Sequence, residues 1–142
     1  MSQESNLKKK PLRIILDSNA LFVPLQFKID IFEELKTLLN KKFELVLLQP
    51  IRRELEKLAE KGSPKMRKNA SYALKIAEKC KLIEIDEQIA DSSPDDVIFQ
   101  VAHEWKSTVF TNDRELRKRL RNINVPVIYV RQKSHLEIDG RT

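Results

Sequence analysis

The sequence predicts an α/β domain, three layers deep, with helices on both faces of a mostly parallel, five-stranded sheet. Three observations carry this expectation. Short β-rich runs alternate with segments whose apolar residues recur at helical spacing. The links between them are short, and Pro, Gly, Ser and Asp stand where elements begin or end.

Taken in order, residues 1–10 are polar and then basic, and are expected to form a loose tail. Leu12–Leu16 reads as a buried central strand, bounded by Pro11 before it and by Asp17, Ser18 and Asn19 after it. Asp30 can cap a helix on which Ile31, Leu35, Leu38 and Leu39 recur at helical spacing, ending near Asn40. Phe43–Leu48 is the second strand, and Pro50 sits in the first turn of the next helix, over residues 51–61, which Gly62 stops. Ser63 and Pro64 start a further helix, running to about residue 79. A third strand over 82–85, a helix from Pro94 through Trp105, a fourth strand over 108–111, a helix over 112–121 and a fifth strand over 127–130 complete a domain spanning 11–131. Residues 132–142 are expected to be a C-terminal tail.

Composition narrows the function. A chain of 142 residues suggests one domain. At about 150 residues roughly 68–70% of the unfolded surface is buried, enough for a core without staples. The longest apolar run, Leu45 to Leu48, is far short of the ~20 residues of a membrane span, so no membrane partner is expected. Cys80 is the single cysteine, which excludes an intrachain disulfide and a Cys-rich zinc site, and no signal peptide is recognisable; a reducing cytoplasm is the expected setting. Two glycines leave neither GxGxxG nor GxxxxGK[ST], removing the usual nucleotide-cradling loops. The net charge of +6 favours a polyanionic partner such as nucleic acid, although basic surfaces also occur on proteins that are merely soluble.

Against this basic background four acids, Asp17, Glu54, Asp95 and Asp113, fall at strand ends or helix starts, which a parallel sheet directs towards one edge. Each has an ordinary reading. Glu54 lies on the border of the stripe formed by Ile51, Leu55, Leu58 and Ala59, where it can pair with Lys57 or Arg53. Asp95 borders the buried face of Val97, Ile98, Val101, Ala102 and Trp105, where it also favours the helix dipole, and Asp96 can complete a capping-box-like pairing with Ser93. Asp113 is a first-turn acid with Thr111 or Asn112 as cap. Asp17 has the weakest bland explanation, since an acid directly after a buried strand needs partners and begins no obvious helix. Jointly the four point to a site for a divalent cation.

The order and intervals of these motifs resemble those of a PIN domain, a nuclease fold related to the 5′-nucleases. The matching segments are 16–21 around Asp17, 50–55 around Glu54, 95–98 around Asp95 and 111–116 around Asp113, and the likeness spans 12–130. Residues 17–24 and 26–30 are especially similar to small archaeal PIN proteins, including VapC-type toxins, and to ribosome-processing PIN nucleases. The resemblance implies a metal-dependent endoribonuclease with Asp17, Glu54, Asp95 and Asp113 as acidic quartet and Asn19 and Thr111 as polar supports. The basic segment 61–81 departs from compact toxins and suits an RNA-processing relative. An antitoxin or a ribosome-assembly factor and a homodimer are further partners that the family suggests. Some PIN domains only bind RNA or protein, which is the alternative reading.

Four close carboxylates repel one another, and Mg²⁺ or Mn²⁺ relieves that repulsion while activating water for phosphodiester hydrolysis. RNA reaching such a pocket needs basic flanks, for which the candidates are Arg52 and Arg53, Lys65, Arg67 and Lys68, and Arg114, Arg117, Lys118 and Arg121. For each the competing reading is a solvated helix face. His103 and His135 are given no catalytic role, and Tyr72 is read as half-buried packing in preference to a base-stacking platform. A haloacid-dehalogenase-like site wants Asp-x-Asp where residue 19 is Asn, and a receiver domain wants a paired acid that this chain lacks.

Overall fold

Three consecutive residues of the first strand, Ile14, Ile15 and Leu16, are fully buried, which requires cover on both faces of the sheet. In the computed structural model, which describes residues 10–141, this strand (β1, Leu12–Leu16) lies third in a six-stranded sheet of order β3-β2-β1-β4-β5-β6. β2 (Phe43–Leu48), β3 (Lys81–Ile83), β4 (Thr108–Phe110) and β5 (Val127–Arg131) all run parallel to β1. β6 (His135–Asp139) returns antiparallel to β5. Ile14 pairs with both Leu45 and Thr108, which fixes β1 between β2 and β4. The chain therefore builds outward from β1 to β3, then crosses back to start β4 on the other side of β1. At such a reversal the carboxyl ends of the two central strands leave a crevice between them.

A 3₁₀ turn (Ser18–Phe22) and α1 (Val23–Phe27) follow β1 directly. α2 (Ile31–Leu39) starts where Asp30 Oδ1 accepts the N–H groups of Phe32 and Glu33, and it ends at Asn40 in a left-handed conformation. α3 (Gln49–Lys61) buries Ile51 and Leu55, carries Pro50 in its first turn and stops at Gly62. Gly62 has an ordinary φ of −72°, so its role is spatial: a Cβ there would lie 2.7 Å from the carbonyl oxygen of Leu58. α4 (Pro64–Ala77) is capped by Ser63, buries Ala70, Ala73 and Ala77, and packs along α3. α5 (Glu87–Ala90), α6 (Pro94–Trp105) and α7 (Arg114–Asn122) complete the cover.

The α/β class and the parallel sheet follow expectation, but the strand count is six. The segment 132–142, expected to be a tail, instead supplies β6 among its described residues. Gln132 and Lys133 both take left-handed φ, turning the chain so that Leu136 is buried and Val127 pairs with Asp139. A short edge strand that alternates apolar with charged residues has a weak sequence signal. The 3₁₀ turn, α1 and α5 were also not expected, α4 is shorter than foreseen, and Leu58, Ala59 and Trp105 are half-buried rather than buried. The expected basic tail over 1–10 lies outside the described residues except for Lys10, which is exposed. No helix among the described residues is long and apolar enough to cross a membrane.

Candidate active site

β1 ends at Leu16 and delivers Asp17 to the reversal point, where its N–H bonds the carbonyl of Phe110 at the end of β4 (3.0 Å). Asp17 is 5% exposed and is the only buried acid among the described residues. No ion pair among them involves it. Its Oδ1 accepts the Ser18 N–H (2.8 Å), and its Oδ2 accepts the Thr111 hydroxyl (2.7 Å) and the Asn19 side-chain amide (3.1 Å). Burial raises its pKa above the ordinary carboxylate value; the bonds from Thr111 and Ser18 oppose that rise, and the charges of Asp95 and Glu54 add to it. Asp17 also caps the 3₁₀ turn, so the expectation that it starts no regular element is corrected.

Thr111 is fully buried just past β4 and links two of the four acids. Its hydroxyl donates to Asp17 and accepts the backbone N–H of Asp113 at 3.1 Å. Asp113 was expected in the first turn of its helix, but it is the N-cap: its Oδ1 accepts the N–H groups of Glu115 (2.9 Å) and Leu116 (3.1 Å). Asn112, absent from the candidate residues, braces the corner. Its N–H donates to Asn19 Oδ1 (3.0 Å), and its own Oδ1 accepts the Val130 N–H of β5 (2.9 Å). The signal available in the sequence was a third hydrogen-bonding residue directly between Thr111 and Asp113, where helix capping was the competing explanation.

Glu54 is half-buried on α3 and lines a cleft of about 640 Å³ between that helix and the segment leading into α6. Asp95 is half-buried in the first turn of α6. Burial is the main cause of its raised pKa; Asp113 and Glu54 push the same way, and Arg119 opposes them. The charges of Glu54 and Asp95 add to the rise at Asp17, and those of Asp113 and Glu54 to the rise at Asp95, in each case behind burial. Asp96 is set apart from them. Its N–H reaches Ser93 Oγ (3.3 Å), but its carboxylate turns to Arg119 of α7 (2.9 Å), whose bond holds its pKa below the ordinary value. The expected capping-box pairing is therefore only half made.

The donor set is carboxylate oxygen, which suits hard cations such as Mg²⁺ and Mn²⁺. None of the four acids forms an ion pair among the described residues. As placed, no three acidic, histidine or cysteine side chains among the described residues stand close enough to hold a metal ion. His103 is exposed on α6, and His135 contacts Glu137 on β6, both outside this group.

The basic candidates divide. Arg53 lines the cleft beside Glu54, whereas Arg52 is half-buried and lines no described cavity. Arg114 lines a hollow of about 360 Å³ together with Thr111, Asn112 and Arg131. Arg117 and Arg121 are instead tied to Asp139 of β6 at 3.1 and 3.2 Å, and the Arg117 guanidinium stacks 3.6 Å from the Tyr129 ring centre. Those two arginines fasten the edge strand, a role invisible while β6 was read as tail. Lys118 faces solvent beside Glu115 (3.9 Å), and Lys65, Arg67 and Lys68 are exposed on α4 away from the described cavities. Tyr72, read as half-buried, is 44% exposed.

A mostly parallel sheet covered by helices is the arrangement that the resemblance implies. The family model described as "PIN like domain" matches residues 14–133, and the chain belongs to this family. It is 37% identical over 133 residues to Ribonuclease VapC4 of Methanocaldococcus jannaschii, a match covering 90% of this chain and 97% of that protein. It is 32% identical over 122 residues to the rRNA-processing protein fcf1 of Schizosaccharomyces pombe, covering 84% of this chain and 59% of that protein. Among solved structures it is similar to the PIN domain endonuclease Utp24, with a TM-score of 0.76, 30% identity and coverage of 93% and 94% of the two chains.

Proposed function

We propose that this chain is a divalent-metal-dependent endoribonuclease that hydrolyses RNA phosphodiesters, with Asp17, Glu54, Asp95 and Asp113 holding Mg²⁺ or Mn²⁺. The observation that carries this reading is Asp17. A buried carboxylate without a cation, electrostatically coupled to Glu54 and Asp95, is unfavourable for folding and has its natural explanation as a ligand. The ribonuclease and endonuclease names of the similar proteins support the same reading. A bound ion supplies Lewis acidity: it lowers the pKa of a water and offsets charge on the phosphate oxygens. The chain's own residues do the positioning. Thr111 and Asn19 both donate to Asp17 Oδ2 and hold that carboxylate in orientation, while Asp113 Oδ1 is committed to its helix cap and leaves Oδ2 for the site. Asp95 and Glu54 stand on two further helices, α6 and α3.

The spacing of the four acids as placed favours a second reading, a PIN module that binds RNA or protein without cutting. One experiment separates the two. Structured and single-stranded RNA are incubated with wild type and Asp17→Asn, each with Mn²⁺ and with EDTA. The enzyme cuts only as wild type with metal; equal cleavage by both proteins, or none by either, removes the enzymatic reading. An antitoxin or a ribosome-assembly factor is the protein partner that the similar proteins point to, and the basic segment 61–81 favours the second.

A further inference from the structure

The cleft lined by Glu54 is the largest of the described cavities, and its two sides differ in character. One is a row of cations, Arg53, Lys57 and Lys61, at positions i, i+4 and i+8 of α3. Four residues of helix rise about 6 Å, so the row runs along the helix away from the acidic group as an evenly spaced ladder. Like charges at this spacing repel each other, and a helix normally offsets them with acids one turn away. Glu54, Glu56 and Glu60 stand on the same helix, yet none of the three cations forms an ion pair among the described residues. Lys36, Arg117, Lys118, Arg119, Arg121 and Arg131 all do. The remaining surface is mostly apolar: Leu58 and Pro50 from α3 face Ala90 and Pro94, with Asp91 the one acid on that far side.

We propose that this cleft is a subsite for unpaired RNA on one side of the scissile phosphate, with successive phosphates along Arg53, Lys57 and Lys61. A base lies on the apolar floor between Leu58 and Pro94. The volume suits this, since small-ligand sites span about 300–1,000 Å³. A duplex keeps its bases stacked inside and has nothing to offer the floor, so the subsite selects single strands. Lys57 and Lys61 have no place in the acidic group, and their assignment rests on the nuclease reading only in taking that group as the position of the scissile phosphate.

The test measures binding, not cleavage. A short labelled single-stranded RNA is titrated by fluorescence anisotropy against Asp17→Asn protein over a series of salt concentrations, with and without the added pair Lys57→Gln and Lys61→Gln. Each lost phosphate contact on a single strand lowers the slope of log K against log salt by about 0.7, so the pair is expected to lower it by about 1.4. The parent then loses about sevenfold more affinity than the variant over a fourfold rise in salt. Lys75→Gln, exposed on α4 and lining no described cavity, should leave the slope unchanged, and a duplex of the same sequence should respond less than the single strand. An unchanged slope in the pair, an equal response to Lys75→Gln, or equal losses for duplex and single strand overturns the subsite. If wild type fails to cut with Mn²⁺ while the slope still falls, the subsite stands and the nuclease reading fails. If wild type cuts and the slope does not move, the subsite alone fails.

Discussion

Replacing Thr111 by valine tests how the buried acid is held. The two side chains are nearly isosteric, so packing at this fully buried position is preserved while one hydroxyl is removed. That hydroxyl donates to the Asp17 carboxylate at 2.7 Å and accepts the Asp113 N–H at 3.1 Å. A bond to a charged group contributes about 1.5–3 kcal/mol, and leaving a buried N–H unmatched costs about 1–3 kcal/mol. The Asp113 N–H is only partly buried and water reaches it in part, so the expected loss is about 2–4 kcal/mol. In a chain of this length that lowers Tm by about 7–13 °C. The pH dependence discriminates further, and it is measured by thermal unfolding in EDTA. The folded pKa of Asp17 lies above its ordinary 3.8, so its ionisation weakens the fold as pH rises from 3.8 through the folded value. Thr111 favours the charged form, and its loss raises the folded pKa again. The penalty of the valine is therefore greatest near neutrality and shrinks on acidification, where a protonated Asp17 no longer requires the donor. A penalty that is the same at neutral and mildly acidic pH, or no penalty, would refute the account of Asp17 as a charged group held by Thr111.

Three other outcomes are expected of the same fold. Mn²⁺ at a hundred times its dissociation constant should stabilise wild type by about 2.7 kcal/mol, read as a rise in Tm, and Asp17→Asn should abolish the rise. Gln49 Oε1 is the one buried side-chain oxygen among the described residues with no partner, so Gln49→Met, which removes it at similar volume, should raise stability by about 1 kcal/mol in urea unfolding. Gly140 has φ +105°, and a Cβ there would lie 2.5 Å from Arg121 Nη1, so Gly140→Ala should destabilise by about 1–3 kcal/mol and weaken amide-exchange protection in β6 before the central strands.

The central strands were legible because being covered on both faces leaves them almost no freedom of composition: Ile14 to Leu16 and Leu45 to Leu48 admit no polar residue. The helix starts were legible because Asp30, Ser63 and Ser93 cap as their side-chain chemistry dictates. The 3₁₀ turn after Asp17 was not, since its five residues are too few to show a period and Asp17 reads equally as a strand terminator. β6 escaped for a different reason. His135, Glu137 and Asp139 resemble solvated chain until Arg117 and Arg121, far away in sequence, are known to meet Asp139. At the candidate site the identities of the acids were readable, but Asn112 was not, because its two hydrogen bonds cross from the β1 loop to β5.

The way the arginines divide explains why a chain of net charge +6 keeps a group of unpaired acids. Arg119 is close enough to lower the pKa of Asp95, yet its hydrogen bond goes to Asp96, the neighbour that points away from the group. Arg117 and Arg121 are drawn off by Asp139 on the opposite side of α7. Asp96 thus occupies the one arginine that registers at Asp95, and Asp139 occupies two more on β6. Burial is the main cause of the raised pKa of Asp95, and a salt bridge from Arg119 would oppose it further; on the proposed metal-dependent reading, it would also compete with the ion. Asp96→Asn therefore makes a sharp case. Freed from its partner, Arg119 should swing to Asp95, raising stability slightly while weakening Mn²⁺ binding. Titration of the Tm shift against Mn²⁺ reads both effects, and unchanged metal affinity in Asp96→Asn would show that Arg119 is held away from the site by something other than Asp96.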